Sequence, residues 1–210
     1  MIQVKNLTHY YNKEIALDNI NLTIEKGKFI AIVGESGSGK STLLSILSTL
    51  LKPTSGDITL LDTNTKKIQN IDSFRKTNIG FVFQFHYLIN YLTVKENIEL
   101  SLDTKEDKKT LENLQILGIE ELQNRYPNEI SGGQRQRASI ARALANQPKI
   151  IFADEPTGNL DSKNSLKVFE LLKQLCENGT TIVVATHDKT LAKLADTIYE
   201  MSDGKISNIY

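Results

Sequence analysis

A glycine-rich segment near the N-terminus has the residue types and spacing of a phosphate-binding loop. Residues 34–41 read Gly-Glu-Ser-Gly-Ser-Gly-Lys-Ser, which fits the pattern Gly-x-x-x-x-Gly-Lys-Ser/Thr between an apolar run and a helical pattern. Glycines let the backbone turn its N–H groups toward phosphate oxygens, and the following helix adds partial positive charge. Lys40 is expected to bridge the β- and γ-phosphates, and the Ser41 hydroxyl to bind Mg²⁺. The predicted nucleotide-binding residues are Gly34, Glu35, Ser36, Gly37, Ser38, Gly39, Lys40, Ser41 and Thr42.

Two acidic residues form a second candidate site. Asp154 and Glu155 follow the apolar run 149–153, which predicts a buried strand, and ligands bind at the C-terminal edge of open α/β sheets. Asp154 is predicted to hold Mg²⁺, through water, and Glu155 to orient and polarise an attacking water. A GTPase would also carry an Asn-Lys-x-Asp segment, which the sequence lacks. The two sites together favour an ATPase over a nucleotide kinase or a GTPase.

A third segment, residues 130–134, reads Ile-Ser-Gly-Gly-Gln at the start of a predicted helix. Ser131 is expected to cap this helix, with the Gln134 side chain reaching back to the cap. Gly132 and Gly133 leave backbone N–H groups in the first turn open to an anion. Alone, the segment predicts only the beginning of a helix.

The composition excludes several classes of protein. The chain has 210 residues, with 25 basic and 25 acidic side chains, so it lacks the excess of Lys and Arg expected for nucleic-acid binding. No apolar run approaches the roughly 20 residues of a transmembrane helix, and the N-terminus does not have the pattern of a signal peptide. The single cysteine, Cys176, is predicted to be a small buried residue on a helix.

Short strands alternating with helices are predicted to position the candidate sites. Residues 20–24 alternate apolar and polar side chains and precede a turn at 25–28, which together predict an antiparallel hairpin. A helix is expected from Ser41 to about Leu51, before Pro53, and another from its cap Asp161 to Cys176. Further strands are predicted at residues 29–33, 57–61, 79–83, 149–153, 180–185, 198–201 and 207–210. The alternation predicts a mostly parallel sheet in an α/β fold.

The middle of the chain has a helical texture. Thr93 and Glu96 have the spacing of a capping box, and the charged residues 105–109 are interpreted as a solvated helix face. We therefore predict one domain over residues 1–210, with a core of about 1–84 and 146–210 and a helical insertion of about 85–145.

The ordered set of motifs resembles the nucleotide-binding subunits of ABC transporters, and the resemblance covers essentially the whole chain. The motifs are residues 34–41, Gln84, residues 131–134, Asp154-Glu155, Asn159-Leu160-Asp161 and His187. Ile130 and Glu35 depart from the usual Leu and Pro, and neither change removes a functional atom. The resemblance implies a P-loop NTPase fold of the ABC type, with an antiparallel β subdomain and a helical subdomain inserted in the core.

The resemblance also implies roles for individual residues. Tyr11 would stack on adenine, with Tyr10 as the alternative, and Gln84 would touch Mg²⁺ and report to a membrane subunit. His187 would hydrogen-bond the γ-phosphate. Two copies would form a head-to-tail dimer with ATP at the interface, where Ser131 and Gly133 of one copy meet the γ-phosphate held by the other. Asp161 would lie across that interface.

Two segments narrow the resemblance further. Residues 84–88, Gln-Phe-His-Tyr-Leu, resemble the lipoprotein-release ATPase LolD, and residues 153–161 are similar to a group that contains LolD, the macrolide exporter MacB and the division-linked FtsE. This implies a separate transmembrane permease contacting residues 85–89 from the membrane, with the chain on the cytoplasmic face. The alternatives are an ATP-dependent regulator of a membrane complex, like FtsE, and the ATPase of a conventional importer.

Overall fold

The structure, a computed structural model, describes residues 1–102 and 107–210 and contains two sheets. The strands are β1 (Ile2–Tyr11), β2 (Glu14–Ile24), β3 (Phe29–Val33), β4 (Ser55–Leu60), β5 (Thr63–Asn64), β6 (Ile79–Val82), β7 (Ile150–Asp154), β8 (Thr181–Thr186), β9 (Thr197–Ser202) and β10 (Lys205–Ile209). The helices are α1 (Lys40–Leu47), α2 (Ile71–Asn78), α3 (Val94–Glu99), α4 (Asp107–Ile116), α5 (Gly132–Leu144), α6 (Ser162–Glu177) and α7 (Lys189–Ala192). Short 3₁₀ turns lie at Thr65–Lys67, Glu120–Leu122 and Pro127–Glu129.

The larger sheet is the mostly parallel one that the sequence predicts. Its order is β10-β9-β3-β8-β7-β6, and only β10 pairs antiparallel with its neighbour. All five residues of β3 and all six of β8 are buried, because helices or the second sheet cover both faces. The expectation of an α/β fold with this sheet is confirmed.

The predicted hairpin at residues 20–28 is wrong in its pairing. Residues 20–24 do form the end of β2, with alternating burial, but β2 pairs with β1 before it, so that Ile2 lies opposite Ile24. The strand after the turn, β3, belongs to the other sheet. A run as apolar as β3 is stable only where both of its faces are covered, and the edge of an antiparallel sheet does not provide this.

Two apolar clusters fill the space on either side of the parallel sheet. Along β7, Ile150 and Phe152 point toward α1 and the antiparallel sheet β2-β1-β4-β5, whereas Ile151 and Ala153 point toward α5 and α6. Cys176, on α6, is buried in the second of these clusters as predicted. Helix α1 therefore lies between the two sheets, with its N-terminus at the end of β3.

Helix α1 is shorter than predicted. It ends at Leu47, four residues before Leu51, because Thr49 adopts a left-handed backbone with φ of 64°. Leu50, which the pattern assigned to the helix, is instead about half exposed.

The described residues between β6 and β7 include α3, α4 and α5, which pack on one another. The Thr93 capping box at the start of α3 is confirmed: Thr93 Oγ1 accepts from the Glu96 amide and the Glu96 carboxylate accepts from the Thr93 amide. Of the charged run 105–109, Lys105 and Glu106 lie outside the described residues, and Lys108 is exposed. No helix within the two described ranges is long and apolar enough to cross a bilayer.

Candidate nucleotide site

The glycine-rich loop connects β3 to α1 and encloses the side chain of Lys40. Gly37 and Gly39 have φ of 83° and 98°, which non-glycine residues rarely adopt, and a Cβ on Gly39 would lie 2.7 Å from the carbonyl oxygen of Ala16. Lys40 is buried, and its Nζ donates to the carbonyl oxygens of Gly34 and Glu35 at 2.7 and 2.8 Å. Two backbone carbonyl groups of the loop thus hold the ammonium group in place.

Ser41 and Asp154 meet across the first turn of α1. The Ser41 hydroxyl donates to Asp154 Oδ1 at 3.0 Å, although 113 residues separate the two in sequence. Burial raises the pKa of Asp154, and the hydroxyl of Ser41 and the charge of Lys40 oppose that rise. A hydroxyl and a carboxylate are hard oxygen ligands, so this pair fits the donor set that Mg²⁺ prefers.

Glu155 and His187 form a second polar pair at the same edge of the sheet. His187 Nδ1 lies 2.9 Å from Glu155 Oε2. Glu155 directly follows β7 and has φ of 45°, a left-handed backbone that its amide stabilises by donating to the carbonyl oxygen of Ala185. His187 directly follows β8, the neighbouring parallel strand. Their proximity follows from parallel strands ending at one edge.

Gln84 follows β6, and its side chain rests on Gly158. A Cβ on Gly158 would lie 2.8 Å from Gln84 Nε2, so a larger residue there would displace the amide. The Asn159 side chain donates to the Gln84 carbonyl oxygen at 3.3 Å. These contacts join Gln84 to the segment that follows Glu155. The sequence alone does not identify Gly158 as a neighbour of Gln84.

Lys40, Ser41, Gln84, Glu155 and His187 all line one cleft of about 800 Å³ at the C-terminal edge of the parallel sheet, whereas Asp154 does not line it and contacts it through Ser41. Its lining comprises Tyr11, Glu14, Ile15, Ala16, Glu35, Ser36, Gly37, Gly39, Lys40, Ser41, Thr42, Gln84, Glu155 and His187. Tyr11 therefore faces the cleft and Tyr10 does not, because successive residues of β1 point to opposite sides. Glu14, Ile15 and Ala16, at the start of β2, were not predicted, because no local pattern marks them.

Seven of the predicted binding residues do not line this cleft: Gly34 and Ser38 belong to the glycine-rich loop beside it, and the other five lie outside the loop. Ser131 caps α5, accepting from the Gln134 amide at 3.3 Å while Gln134 Oε1 accepts from the Ser131 amide at 2.8 Å, which confirms the predicted capping. Asp161 caps α6, accepting from the Asn164 amide at 2.9 Å, and this hydrogen bond lowers the pKa of Asp161. Within one chain, none of the residues Ser131, Gly132, Gly133, Gln134 and Asp161 lines the cleft.

The starts of α5 and α6 nevertheless lie side by side. A Cβ on Gly133 would be 3.3 Å from the amide group of Asn164, which in turn donates to the Asp161 carboxylate at 2.6 Å. Ser131 and Asp161 are exposed, Gly132, Gln134 and Asn164 are partly exposed, and Gly133 is buried. The five residues thus belong to a second cluster on the same molecule, with Ser131 and Asp161 at its solvent-facing edge.

The segment after Gln84 is tied to α5. His86 Nδ1 lies 2.5 Å from Oε1 of the fully buried Gln136, and burial lowers the pKa of His86. The Arg142 guanidinium donates to the carbonyl oxygens of Tyr87 and His86 at 2.7 and 2.8 Å. We call these three hydrogen bonds the His86–Arg142 clamp.

Beside the clamp lies an open groove of about 560 Å³ between the parallel sheet and the helical region. Phe81, Phe83, Tyr87 and Leu100 are among its lining residues. Tyr87 and Leu100 are more than half exposed, as is the neighbouring Phe85, which does not line the groove.

Comparisons with known proteins agree with this geometry. The family model described as ABC transporter matches residues 17–158. An uncharacterized ABC transporter ATP-binding protein of Methanocaldococcus jannaschii, MJ1508, is 46% identical over 100% of this chain and 99% of its own length. The lipoprotein-releasing system ATP-binding protein LolD of Aquifex aeolicus is 44% identical over 98% of this chain and 96% of its own.

A solved structure extends the agreement to the fold. The dimeric ATP-binding cassette MJ0796, in a post-hydrolysis state bound to ADP and phosphate, superimposes with a TM-score of 0.91 at 41% identity, covering 100% of this chain and 98% of that one. The matching family, the identity over the whole chain and the shared fold lead to one conclusion. The chain belongs to the ABC transporter family, as an ATP-binding subunit that hydrolyses ATP.

Proposed function

We propose that the cleft binds ATP with the adenine base against Tyr11 and the phosphates in the glycine-rich loop. The exposed ring of Tyr11 and the buried side chain of Lys40 both line the cleft, which supports this orientation. Aromatic rings stack on bases, and loop amides with a lysine bind β- and γ-phosphates. The remaining phosphate-binding residues are Gly34, Glu35, Ser36, Gly37, Ser38, Gly39, Ser41 and Thr42.

Mg²⁺ in this proposal is held by Ser41, by Asp154 and by the amide oxygen of Gln84. Bound there, it supplies charge neutralisation of the β- and γ-phosphates. Glu155 accepts a proton from the attacking water and fixes its direction, and His187 donates a hydrogen bond to the γ-phosphate. The observation that carries the proposal is that the Ser41–Asp154 and Glu155–His187 pairs meet at one edge of one cleft.

We test the metal site by measuring ATP hydrolysis against Mg²⁺ concentration in an Asp154→Asn variant. Asn keeps the size of the side chain and an acceptor for Ser41 but loses the charge. We expect the Mg²⁺ concentration for half-maximal hydrolysis to rise about tenfold or more, while the affinity for ATP in EDTA stays the same. An unchanged Mg²⁺ requirement contradicts the assignment of Asp154.

The second cluster completes the site of a partner copy. In a head-to-tail homodimer, Ser131 and Gly133 of the partner subunit face the γ-phosphate, and Asp161 lies along the shared interface. The exposure of this cluster and its separation from the cleft support the arrangement. The dimeric state of the related cassette MJ0796 supports it as well.

The subunit acts, in this proposal, on the cytoplasmic face of the membrane and drives a separate permease, for lipoprotein release, peptide or macrolide efflux, or a related envelope process. The relatives at 41–48% identity that support this include the LolD proteins, the bacitracin export ATP-binding protein BceA of Halalkalibacterium halodurans, and MacB of Campylobacter jejuni, 33% of whose length is matched. A FtsE-like regulator and a conventional importer are the competing functions.

The groove beside the His86–Arg142 clamp is the proposed permease contact. Leu100 lines this groove and is 57% exposed, and Ile116 is 58% exposed outside it, so the two form a matched pair. We expect Leu100→Asp to abolish co-purification with the permease from the native membrane and Ile116→Asp to preserve it. Equal effects of the two substitutions contradict the assignment of the groove.

Identifying the co-purifying membrane protein separates the candidate functions. A permease with four spans and a large extracytoplasmic domain supports the LolD and MacB group. A permease with many spans and a solute-binding protein supports an importer. A complex whose cellular role does not require substrate movement supports the regulator.

A further inference from the structure

Strand β1 buries one polar side chain in a series of apolar ones. The residues of β1 that face the interior are Ile2, Val4, Leu7 and His9, after a local irregularity at Asn6, whose φ is 50°. His9 is 7% exposed and is the last of the four. It lies two residues before Tyr11, which lines the nucleotide cleft. An apolar residue at this position would continue the pattern at less cost in desolvation.

Hydrogen bonding does not account for the burial of the His9 side chain. Its Nδ1 lies 3.5 Å from Thr54 Oγ1, at the outer limit of a hydrogen bond. Its Nε2 is buried and has no hydrogen-bond partner among the residues that the structure describes. A buried polar atom without a partner calls for an explanation beyond packing.

The close neighbour of the imidazole is the ring of Tyr11. The two ring centroids are 4.8 Å apart and the rings are nearly perpendicular, at 86°. This is the edge-to-face arrangement that aromatic rings prefer. Tyr11 is itself 48% exposed and lines the cleft, so the contact joins a buried ring to an exposed one.

We propose that His9 is a positioning residue that holds the Tyr11 ring in the orientation in which it receives the adenine base. The inference rests on the proposed contact between Tyr11 and adenine. An exposed tyrosine at the end of a strand loses rotational freedom when a base stacks on it. The entropy cost is smaller for a ring that a neighbouring side chain already holds in one orientation. His9 thus contributes to nucleotide affinity through the base and not through the phosphates.

The experiment compares ATP with a ligand that has no base. We measure KM and kcat for ATP, and the inhibition constant of inorganic triphosphate, for His9→Leu, which fills the buried space without a ring, and His9→Phe, which restores a ring. We expect His9→Leu to raise KM about three- to tenfold with kcat and the inhibition constant unchanged. We expect His9→Phe to return KM to the wild-type value.

Two control variants make the result decisive. Tyr10→Ala, on the opposite side of β1, should leave KM unchanged. Tyr11→Ala should raise KM at least as much as His9→Leu, and if it does not, the adenine contact itself is wrong. If Tyr11→Ala raises KM and His9→Leu does not, only the role of His9 is overturned.

Two further outcomes also overturn the role of His9. A proportional rise in KM and in the inhibition constant of inorganic triphosphate would place the defect in the phosphate loop. A His9→Phe variant with the same raised KM as His9→Leu would show that a ring at this position is irrelevant. If thermal unfolding shows that the Leu variant does not fold, the unbranched His9→Met replaces it in the same comparison.

Discussion

Glu155 is held in place by its neighbours rather than by the preference of its own backbone. Its left-handed φ of 45° is uncommon for a residue with a Cβ, and three hydrogen bonds offset that cost. The Glu155 amide donates to the Ala185 carbonyl oxygen, the Gly158 amide donates to the Glu155 carbonyl oxygen, and the Glu155 carboxylate contacts His187. The result is a carboxylate directed into the cleft from a rigid strand end. Such placement is what general base catalysis requires.

We predict that Glu155→Gln lowers the rate of ATP hydrolysis by a factor of about 100 or more but preserves ATP binding. The amide keeps the shape of the side chain and a possible bond to His187, and it loses the ability to accept the proton of water. Phosphate-release kinetics measure the rate, and gel filtration with ATP should show an accumulated dimer. Turnover at the wild-type rate would show that another group is the base.

Asp161 serves as a helix cap, and its second, proposed role at the dimer interface can be separated from capping. Asn is as good a cap as Asp but carries no charge. We therefore predict that Asp161→Asn keeps the urea midpoint of unfolding, while Asp161→Ala lowers it. If the charge acts at the interface, both variants should lose ATP-dependent dimerisation to a similar extent. Dimerisation retained in Asp161→Asn would reduce Asp161 to a cap.

The residues of the cleft that carry local signals could be predicted, and those that depend on packing could not. Lys40, Asp154 and Glu155 stand in short patterns next to apolar strands, so their meeting follows from the geometry of a parallel sheet. Ala16 reaches the cleft because a distant segment packs there, and no neighbouring pattern reveals this. Gly158 lies inside the motif-bearing segment 153–161, but its contact with Gln84 depends on how that segment packs against the end of β6. His9 could be read only as a break in the apolar series of β1.

Among the elements, α5 connects two functional regions through the His86–Arg142 clamp. Its first turn carries Ser131, and its later turns bind the segment after Gln84. The Arg142 guanidinium reaches two carbonyl oxygens at once because it is a planar fork, which an ammonium group cannot reproduce. Movement of this segment is therefore expected to move α5 with it.

We predict that Arg142→Lys destabilises the protein by about 1–2 kcal/mol, because one of two hydrogen bonds from a charged donor is lost and a carbonyl oxygen is left unpaired. Urea unfolding measures the change. Arg137, also on α5, donates longer hydrogen bonds, of 3.3 and 3.4 Å, to the carbonyl oxygens of Leu117 and Gly118. Arg137→Lys is therefore the control and should cost less. An equal cost for the two would contradict the special role of the clamp.

The hairpin of β9 and β10 is held by a carboxylate with several partners. Glu200 accepts hydrogen bonds from Lys189, Asn208 and Tyr210, and these lower its pKa from 4.5 to about 2. Because the folded protein binds this proton less tightly than the unfolded chain, the stabilisation is complete above pH 4.5 and is lost as the pH falls toward 2.

We therefore predict that Glu200→Gln lowers the urea midpoint at pH 7 and that the difference from wild type shrinks as the pH is lowered from 4.5 toward 2. Lys205 and Asp18 form an ion pair on the neighbouring surface, and the Asp18→Asn variant gives a comparison with a single partner. A difference that persists unchanged to pH 2.5 would mean that the negative charge of Glu200 does not stabilise the hairpin.

Element types were easier to predict from the sequence than element partners. The alternation in residues 20–24 and the apolar run 29–33 each predict a strand. A strand buried on one face has an apolar residue at every second position, and a strand buried on both faces is apolar throughout. The structure, however, pairs β2 with β1 across the two-residue turn Asn12-Lys13, with Tyr11 opposite Glu14 and Asn12 at a φ of 55°. The sequence pattern predicts no strand before residue 20, so it joins residues 20–24 to the strand after them instead of to the strand before them.

At the scale of the whole molecule, the features proposed for hydrolysis divide into two surfaces. The cleft holds the loop of Lys40, and the exposed cluster at the starts of α5 and α6 holds Ser131. We predict that Ser131→Arg leaves ATP binding to the single protomer intact but prevents ATP-dependent dimerisation, because a long charged side chain would occupy the space of the γ-phosphate. Sedimentation with ATP in the Glu155→Gln background measures this, and a dimer that persists would contradict the head-to-tail arrangement.

Because each site of the proposed dimer takes its parts from two chains, two inactive variants are expected to complement each other and restore ATP hydrolysis. In a heterodimer of Lys40→Ala and Ser131→Arg chains, one site receives both of its intact parts and the other receives neither. Each heterodimer then has one whole site out of two, and recovered ATP hydrolysis would show that one site can work while the other is inactive. A mixture of Lys40→Ala and Glu155→Gln chains spoils both sites of every heterodimer and should recover nothing.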